Sequence, residues 1–200
     1  MDLVAEAEDE ELLDRHFMDS LGILRMGLLE GAESLIDVGT GAGFPGMALA
    51  LAMPEIRVTL LDSQQKRLNF LAEVIRQTDS QNVALIHARA EDGARKPELR
   101  EQFDRAVARA VAPLNVLCEY LMPYVRVGGL MLCWKGPGLT EEMEAGRRAA
   151  FLLGGKVREP EAVPIQGRDW EHLILPVSKV GPTPKMYPRK AGTPKTRPLG

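Results

Sequence analysis

The sequence predicts an α/β fold, a mostly parallel sheet of seven strands with helices on both faces and an antiparallel final hairpin. Three observations carry this. From Leu35 onward, short runs rich in Leu, Val and Ile alternate with longer amphipathic stretches, the pattern of repeated strand–helix units. Several strand runs are apolar nearly throughout, as strands buried on both faces are. Four glycines, Gly39, Gly41, Gly43 and Gly46, mark the first strand-to-helix junction, where sheets of this kind hold ligands.

The elements follow in order. Residues 6–29 place Leu12, Leu13, Phe17, Leu21 and Leu24 at helical spacing, which predicts one or two amphipathic helices. The acidic run Glu6, Glu8, Asp9, Glu10 and Glu11 reads as a solvated helix start, its carboxylates near the positive end of the dipole. "SLIDVG" is the first strand and "PGMALALAM" a helix with Pro45 near its first turn. "IRVTLLD" is the second strand, "SQQKRLNFLAEVIRQTD" a helix capped by Ser63, and "NVALIHA" the third strand. "FDRAVARA" is the fourth, "LNVLCEYLMPYV" a helix, and "GGLMLCWKG" the fifth. A charged helix is expected over 140–153. The last two strands, around 155–165 and 171–178, have no helix between them and should pair antiparallel.

The final stretch, "GPTPKMYPRKAGTPKTRPLG", contains five prolines and three glycines, a density at which no regular element is expected. On composition alone, disorder is favoured over an arm that orders on a partner. The organisation is therefore an N-terminal helical segment over 1–30, a catalytic-type domain over 31–178 and a basic Pro/Gly-rich arm over 179–200.

Composition narrows the function classes. The 200 residues are 45% hydrophobic, enough for one core. No apolar run approaches the ~20 residues of a membrane helix, and the acidic N-terminus is unlike a signal peptide. A cytoplasmic protein is expected. Cys118 and Cys133 lack metal-ligand spacing and read as reduced core thiols. His16, His87 and His172 are scattered, and no metal site is expected. Six basic and no acidic residues lie between Lys179 and Gly200, so the remainder carries −9 against a total of −3. An acidic body with a basic tail suits a polyanionic partner.

"DVGTGAGFPG" admits two ligands. From Gly41 it spells G-x-G-x-x-G, the dinucleotide fingerprint of nicotinamide oxidoreductases; from Asp37 it spells D-x-G-x-G-x-G, the loop that grips S-adenosylmethionine. Asp37 tips the balance. A carboxylate is an awkward neighbour for a pyrophosphate at a helix N-terminus, whereas it suits the cationic ammonium and sulfonium of the methyl donor. The dinucleotide match then reduces to a coincidence created by Gly46. Asp62 ends the second strand and should bond the ribose hydroxyls, and Ala90 and Glu91 in "HARAED" stand where many methyltransferases contact adenine. These features predict a class I S-adenosylmethionine-dependent methyltransferase, Rossmann-like in fold. Gly39 and Gly41 belong to its donor loop.

After the fourth strand the chain reads "ARAVAPL" rather than the N/D-P-P-Y/F of adenine amino-group methylation, and neither cysteine falls in a nucleophile loop. A ring nitrogen with a free lone pair, such as guanine N7, needs neither device; alignment with the sulfonium methyl suffices, without a general base.

"RHFMDS", "DVGTGAGFPG", "LLDSQQKRLNFL", "ARAVAPL", "WKG" and "YPRKAGTPKTRPL", in that order over nearly the whole chain, resemble the bacterial small-subunit ribosomal RNA guanine-N7 methyltransferases, the RsmG or glucose-inhibited division protein B family. The resemblance implies methyl transfer to a guanosine of 16S rRNA near the decoding region, with 16S rRNA or the small ribosomal subunit as partner. It implies donor contacts at Gly39, Phe44, Ala90, Glu91 and Arg109, with Arg109 also facing the catalytic pocket as a positioning residue. Lys135 in "WKG" stands on the same rim, open to RNA phosphate, to guanine or to a plain strand-end role. Arg189 and Lys190 in "PRKAGTP" then read as RNA-binding residues, and the tail as an arm that orders near the active site. The family's longer N-terminal helical segment, which ends in "NLT", is shortened here, which leaves open whatever substrate contacts it supplies. A nicotinamide oxidoreductase that uses "GAGFPG" and a non-catalytic RNA-binding protein with a relic pocket are the remaining alternatives, and a monomer is expected.

Overall fold

The computed structural model describes residues 13–109, 111–163 and 172–200. The acidic run at Glu6–Glu11 therefore lies outside the described residues.

Among the described residues, eight strands form one sheet: β1 (Ser34–Val38), β2 (Arg57–Asp62), β3 (Val83–His87), β4 (Phe103–Arg109), β5 (Val125–Lys135), β6 (Gly155–Val157), β7 (Glu161–Ala162) and β8 (Leu173–Lys179). Their order is β3-β2-β1-β4-β5-β8-β6, with β7 also paired to β8. The first five run parallel, and β8 is antiparallel to β5, β6 and β7. The one strand expected near 155–165 is thus two, because Pro160 between them has no N–H for a ladder.

The helices are α1 (Gly46–Ala52), α2 (Gln65–Thr78), α3 (Ala90–Gly93), α4 (Leu114–Leu121), α5 (Leu139–Leu152) and the single turn α6 (Thr193–Thr196). Period-2 alternation sorts the strand side chains between two cores. Leu35, Leu60, Leu130 and Leu132 pack with Met47, Leu49, Leu68 and Leu71 on one face. Ile36, Leu61, Met131 and Cys133 pack with Leu114, Leu117, Leu121 and Ala149 on the other. Both cysteines are free and buried, and burial pushes their thiols upward, Cys133 to about 12, which suits inert core groups.

Three local expectations give way to tighter geometry. The N-terminal stretch is a π-turn (Leu13–Met18), a short α-turn (Asp19–Leu21) and a 3₁₀ turn (Gly22–Arg25). This changing pitch turns Ile23 inward and leaves Leu24 exposed, where constant helical spacing predicts Leu24 on the buried face. α2 starts at Gln65 without a side-chain cap; Asp62 Oδ1, not Ser63, accepts from the Gln64 N–H at 2.8 Å. The tail is neither disordered nor free of regular structure. It lies on the chain's own body, its carbonyls at Thr183, Tyr187 and Pro188 taken by Arg100 and Arg95, and the carbonyl of Leu199 by Asn115.

Candidate active site

β1 lies between β2 and β4, so the chain leaves β1 toward one side of the sheet and later resumes it on the other. A crevice opens at that reversal, at the carboxyl ends of the strands. There the structure has a cavity of about 500 Å³ walled by Gly39–Ala42, Phe44, Asp62, Ala88–Glu91, Arg109 and Tyr120. This volume is in the ~300–1,000 Å³ range of small-ligand pockets. The predicted donor residues Gly39, Gly41, Phe44, Asp62, Ala90, Glu91 and Arg109 all face this one space.

The loop is built by backbone demands. Gly43 has φ +100°, and a Cβ there would lie 2.8 Å from Leu71 Cδ2 and 2.9 Å from Met47 Cβ. A Cβ on Gly46 would lie 2.5 Å from Leu60 Cδ2 and 2.7 Å from Asp37 Oδ2. The glycine that completes the dinucleotide-like pattern is therefore required by packing under α1.

Asp37 is placed differently from the sequence expectation. Its carboxylate lies beneath the loop rather than on the cavity wall, 1% exposed. Oδ2 accepts from Thr40 Oγ1 at 2.7 Å and from the Gly46 N–H at 2.9 Å, so it ties strand, loop and α1 together. Burial raises its pKa to about 6 against the opposing pull of those bonds and of Arg109. The wall carboxylates are instead Asp62 and Glu91. Asp62 Oδ2 accepts from the Gly41 N–H at 3.0 Å, with Arg67 Nη1 at 3.3 Å, and so holds the loop in shape.

Arg109, at the end of β4, is clamped. Nη1 donates to Asp19 Oδ2 at 3.0 Å, Nη2 lies 2.7 Å from His16 Nδ1, and the guanidinium stands 5.3 Å from the Phe44 ring centroid. Phe44 also stacks on His16, centroids 5.2 Å apart, and meets Phe17 edge-on. Asp19 is 2% exposed; its Oδ1 is 2.8 Å from His172 Nδ1 and its carbonyl accepts from Trp134 Nε1 at 3.2 Å. Sequence reasoning assigned no role to His16, Asp19 or His172. "RHFMDS" contains two of them, His16 and Asp19, but four of its six residues are polar, so nothing local singled these two out.

A second cavity, about 370 Å³, adjoins the first and shares His16 and Arg109 with it; Asp19, Trp134, Lys135 and His172 also line it. Lys135 is mostly buried here, its Nζ 2.5 Å from Glu142 Oε2 and 3.2 Å from the Ala112 carbonyl. It joins the end of β5 to α5 and to the β4–α4 loop. Arg189 and Lys190 stand apart from this cavity. Arg189 is engaged by Glu119, Nη2 to Oε2 at 2.5 Å, and Lys190 is exposed. Among the described residues no cluster of His, Cys, Asp and Glu is arranged to hold a metal ion, and no helix is long and apolar enough to cross a membrane.

Residues 1–171 match the family described as rRNA small subunit methyltransferase G. Among curated relatives, "Ribosomal RNA small subunit methyltransferase G" of Clostridium perfringens (strain 13) is 47% identical over 199 residues, covering 100% of this chain and 83% of the relative. The protein of the same name from Alkaliphilus metalliredigens is 46% identical with the same coverage. In fold the chain is similar to a mutant 16S rRNA (adenine(1408)-N(1))-methyltransferase from Catenulisporales acidiphilia, at TM-score 0.62 and 18% identity, over 83% of this chain and 93% of that one. It is also similar to the antibiotic-resistance methyltransferase Kmr, at TM-score 0.58 and 20% identity, over 80% and 92%.

Proposed function

Because the chain belongs to the rRNA small subunit methyltransferase G family, whose members are S-adenosylmethionine-dependent rRNA methyltransferases, we propose that it forms 7-methylguanosine at one guanosine of 16S rRNA near the decoding region. The observation that carries this reading is the pair of adjoining cavities that meet at His16 and Arg109. The larger takes the methyl donor and the smaller receives the flipped-out base.

The donor supplies an electrophilic methyl on a sulfonium. Asp62 and Glu91 are the wall carboxylates suited to ribose hydroxyls and an adenine amino group, and the ring of Phe44 supplies an apolar wall. Guanine N7 attacks with its own lone pair and has no proton to lose, so no residue need act as a base. The chain's work is alignment. Arg109, held by Asp19 and His16, fixes the boundary between the two cavities as a positioning residue. Lys190 and its exposed neighbours on the arm meet RNA phosphate. Arg189 already has an internal partner and holds the arm in place.

Labelled donor, purified protein and small ribosomal subunits lacking this methylation provide the test. Label should appear as 7-methylguanosine at a single position of 16S rRNA. Donor binding without any transfer would favour the non-catalytic alternative, and transfer to another atom would overturn the N7 assignment.

A further inference from the structure

We propose that the C-terminal arm is a strap on the donor pocket and that Arg189 and Gly192 are positioning residues for the donor, an inference that rests on the donor reading of the larger cavity. Glu119 of α4 is completely buried. It accepts from the Arg189 backbone N–H at 2.7 Å, from Nε at 2.9 Å and from Nη2 at 2.5 Å. A buried carboxylate is costly unless paired, and a forked guanidinium is its best partner. The partner here arrives from 70 residues away. The next residue of α4, Tyr120, lines the donor cavity.

Three residues beyond Arg189, the Gly192 N–H donates to Glu91 Oε1 at 2.7 Å. Glu91 is 3% exposed and lies on the same wall. The arm thus grips α3 and α4 at the two places where they form the cavity; of its further anchors, Arg95 and Arg100 lie on the segment that follows α3 and Asn115 lies on α4. Along this strap Lys185, Lys190, Lys195 and Arg197 are exposed. The segment that carries cations outward is also the one that sets Glu91 and Tyr120. Donor binding and arm docking are therefore linked, and whatever tightens one tightens the other by the same factor.

The double variant Glu119→Leu/Arg189→Met tests this, since it removes both charges and strands neither. S-adenosylmethionine affinity is measured calorimetrically without RNA, beside the thermal midpoint. The expected result is donor binding about five- to twentyfold weaker with a midpoint within a few degrees of wild type. A folded variant that binds donor like wild type overturns the strap. A second measurement needs no variant: tryptic cleavage at Lys190 and Lys195 in the wild type should slow several-fold when donor is added. Equal cleavage with and without bound donor also overturns it. Wild-type protein that binds no donor would sink the donor reading itself, which the same titration reveals separately.

Discussion

Arg109 and Asp19, 90 residues apart, form a mostly buried ion pair at 3.0 Å on the boundary between two cavities. The N-terminal stretch is thereby part of the site, because it delivers the carboxylate that fixes the guanidinium. We expect Arg109→Ala to lower methyl transfer more than tenfold, a loss above about 1.4 kcal/mol in transition-state stabilisation, with unchanged circular dichroism. Unchanged turnover would remove Arg109 from the site. Asp19→Asn keeps the shape and removes the charge, and should lower transfer in the same direction.

Gly46→Ala places a methyl group against Leu60 and Asp37 at under 3 Å. Overpacking of this kind costs roughly 1–3 kcal/mol. Urea unfolding should show a lower midpoint with an unaltered slope. An unchanged midpoint would mean that α1 can move away from β1 at little cost.

Asp37 gives a pH dependence of definite sign. Its pKa is raised by burial from 3.8 to about 6 in the fold, so the folded state favours the protonated acid. That contribution is fully present below about pH 4 and is lost as pH rises through 6. Relative to Asp37→Asn, the wild type should lose roughly 2 kcal/mol of stability between pH 4 and pH 6 and little more by pH 7. Unfolding free energies at pH 4, 5, 6 and 7 test this, and a constant difference between the two proteins would refute it.

Asp104 should behave oppositely. Burial works against its ionised form, but Ser34, Arg126 and the Glu33 N–H together hold its pKa down to about 2. The stabilisation is present above pH 4 and lost as pH falls toward 2. Asp104→Ala removes the acceptor that joins the start of β1 to β4 and should lower the unfolding midpoint at pH 7 but much less at pH 2.5.

The arm residues separate by salt dependence. Lys190→Ala should weaken rRNA binding and reduce the slope of log affinity against log salt by about one. Arg189→Lys should leave that slope nearly unchanged, because Arg189 faces Glu119. Filter binding over a range of potassium concentrations distinguishes them, and equal slopes for Lys190→Ala and wild type would remove Lys190 from the RNA surface.

What the sequence determined by itself is whatever depends on near neighbours in the chain. Strand runs such as "IRVTLLD" and the helix from Gln65 to Thr78 are legible because burial repeats with a period that the residues themselves display. The glycine loop is legible because backbone conformation is a local demand that glycine meets visibly, and the place of Asp62, Ala90 and Glu91 on the same cavity wall follows from their positions at or just after strand ends. Pairings between distant positions leave no such trace. Only the tertiary structure joined Asp19 to Arg109 and, across 153 residues, to His172, or gave Glu119 its partner in Arg189. Asp37 shows the same limit within the motif itself, since the sequence placed a carboxylate at the loop but the direction of its side chain was set by α1 and Thr40. The arm was misjudged from composition for a related reason. Proline and glycine deny it a ladder or a long helix, yet Arg95, Arg100 and two buried glutamates elsewhere in the chain supply the hydrogen bonds that order it.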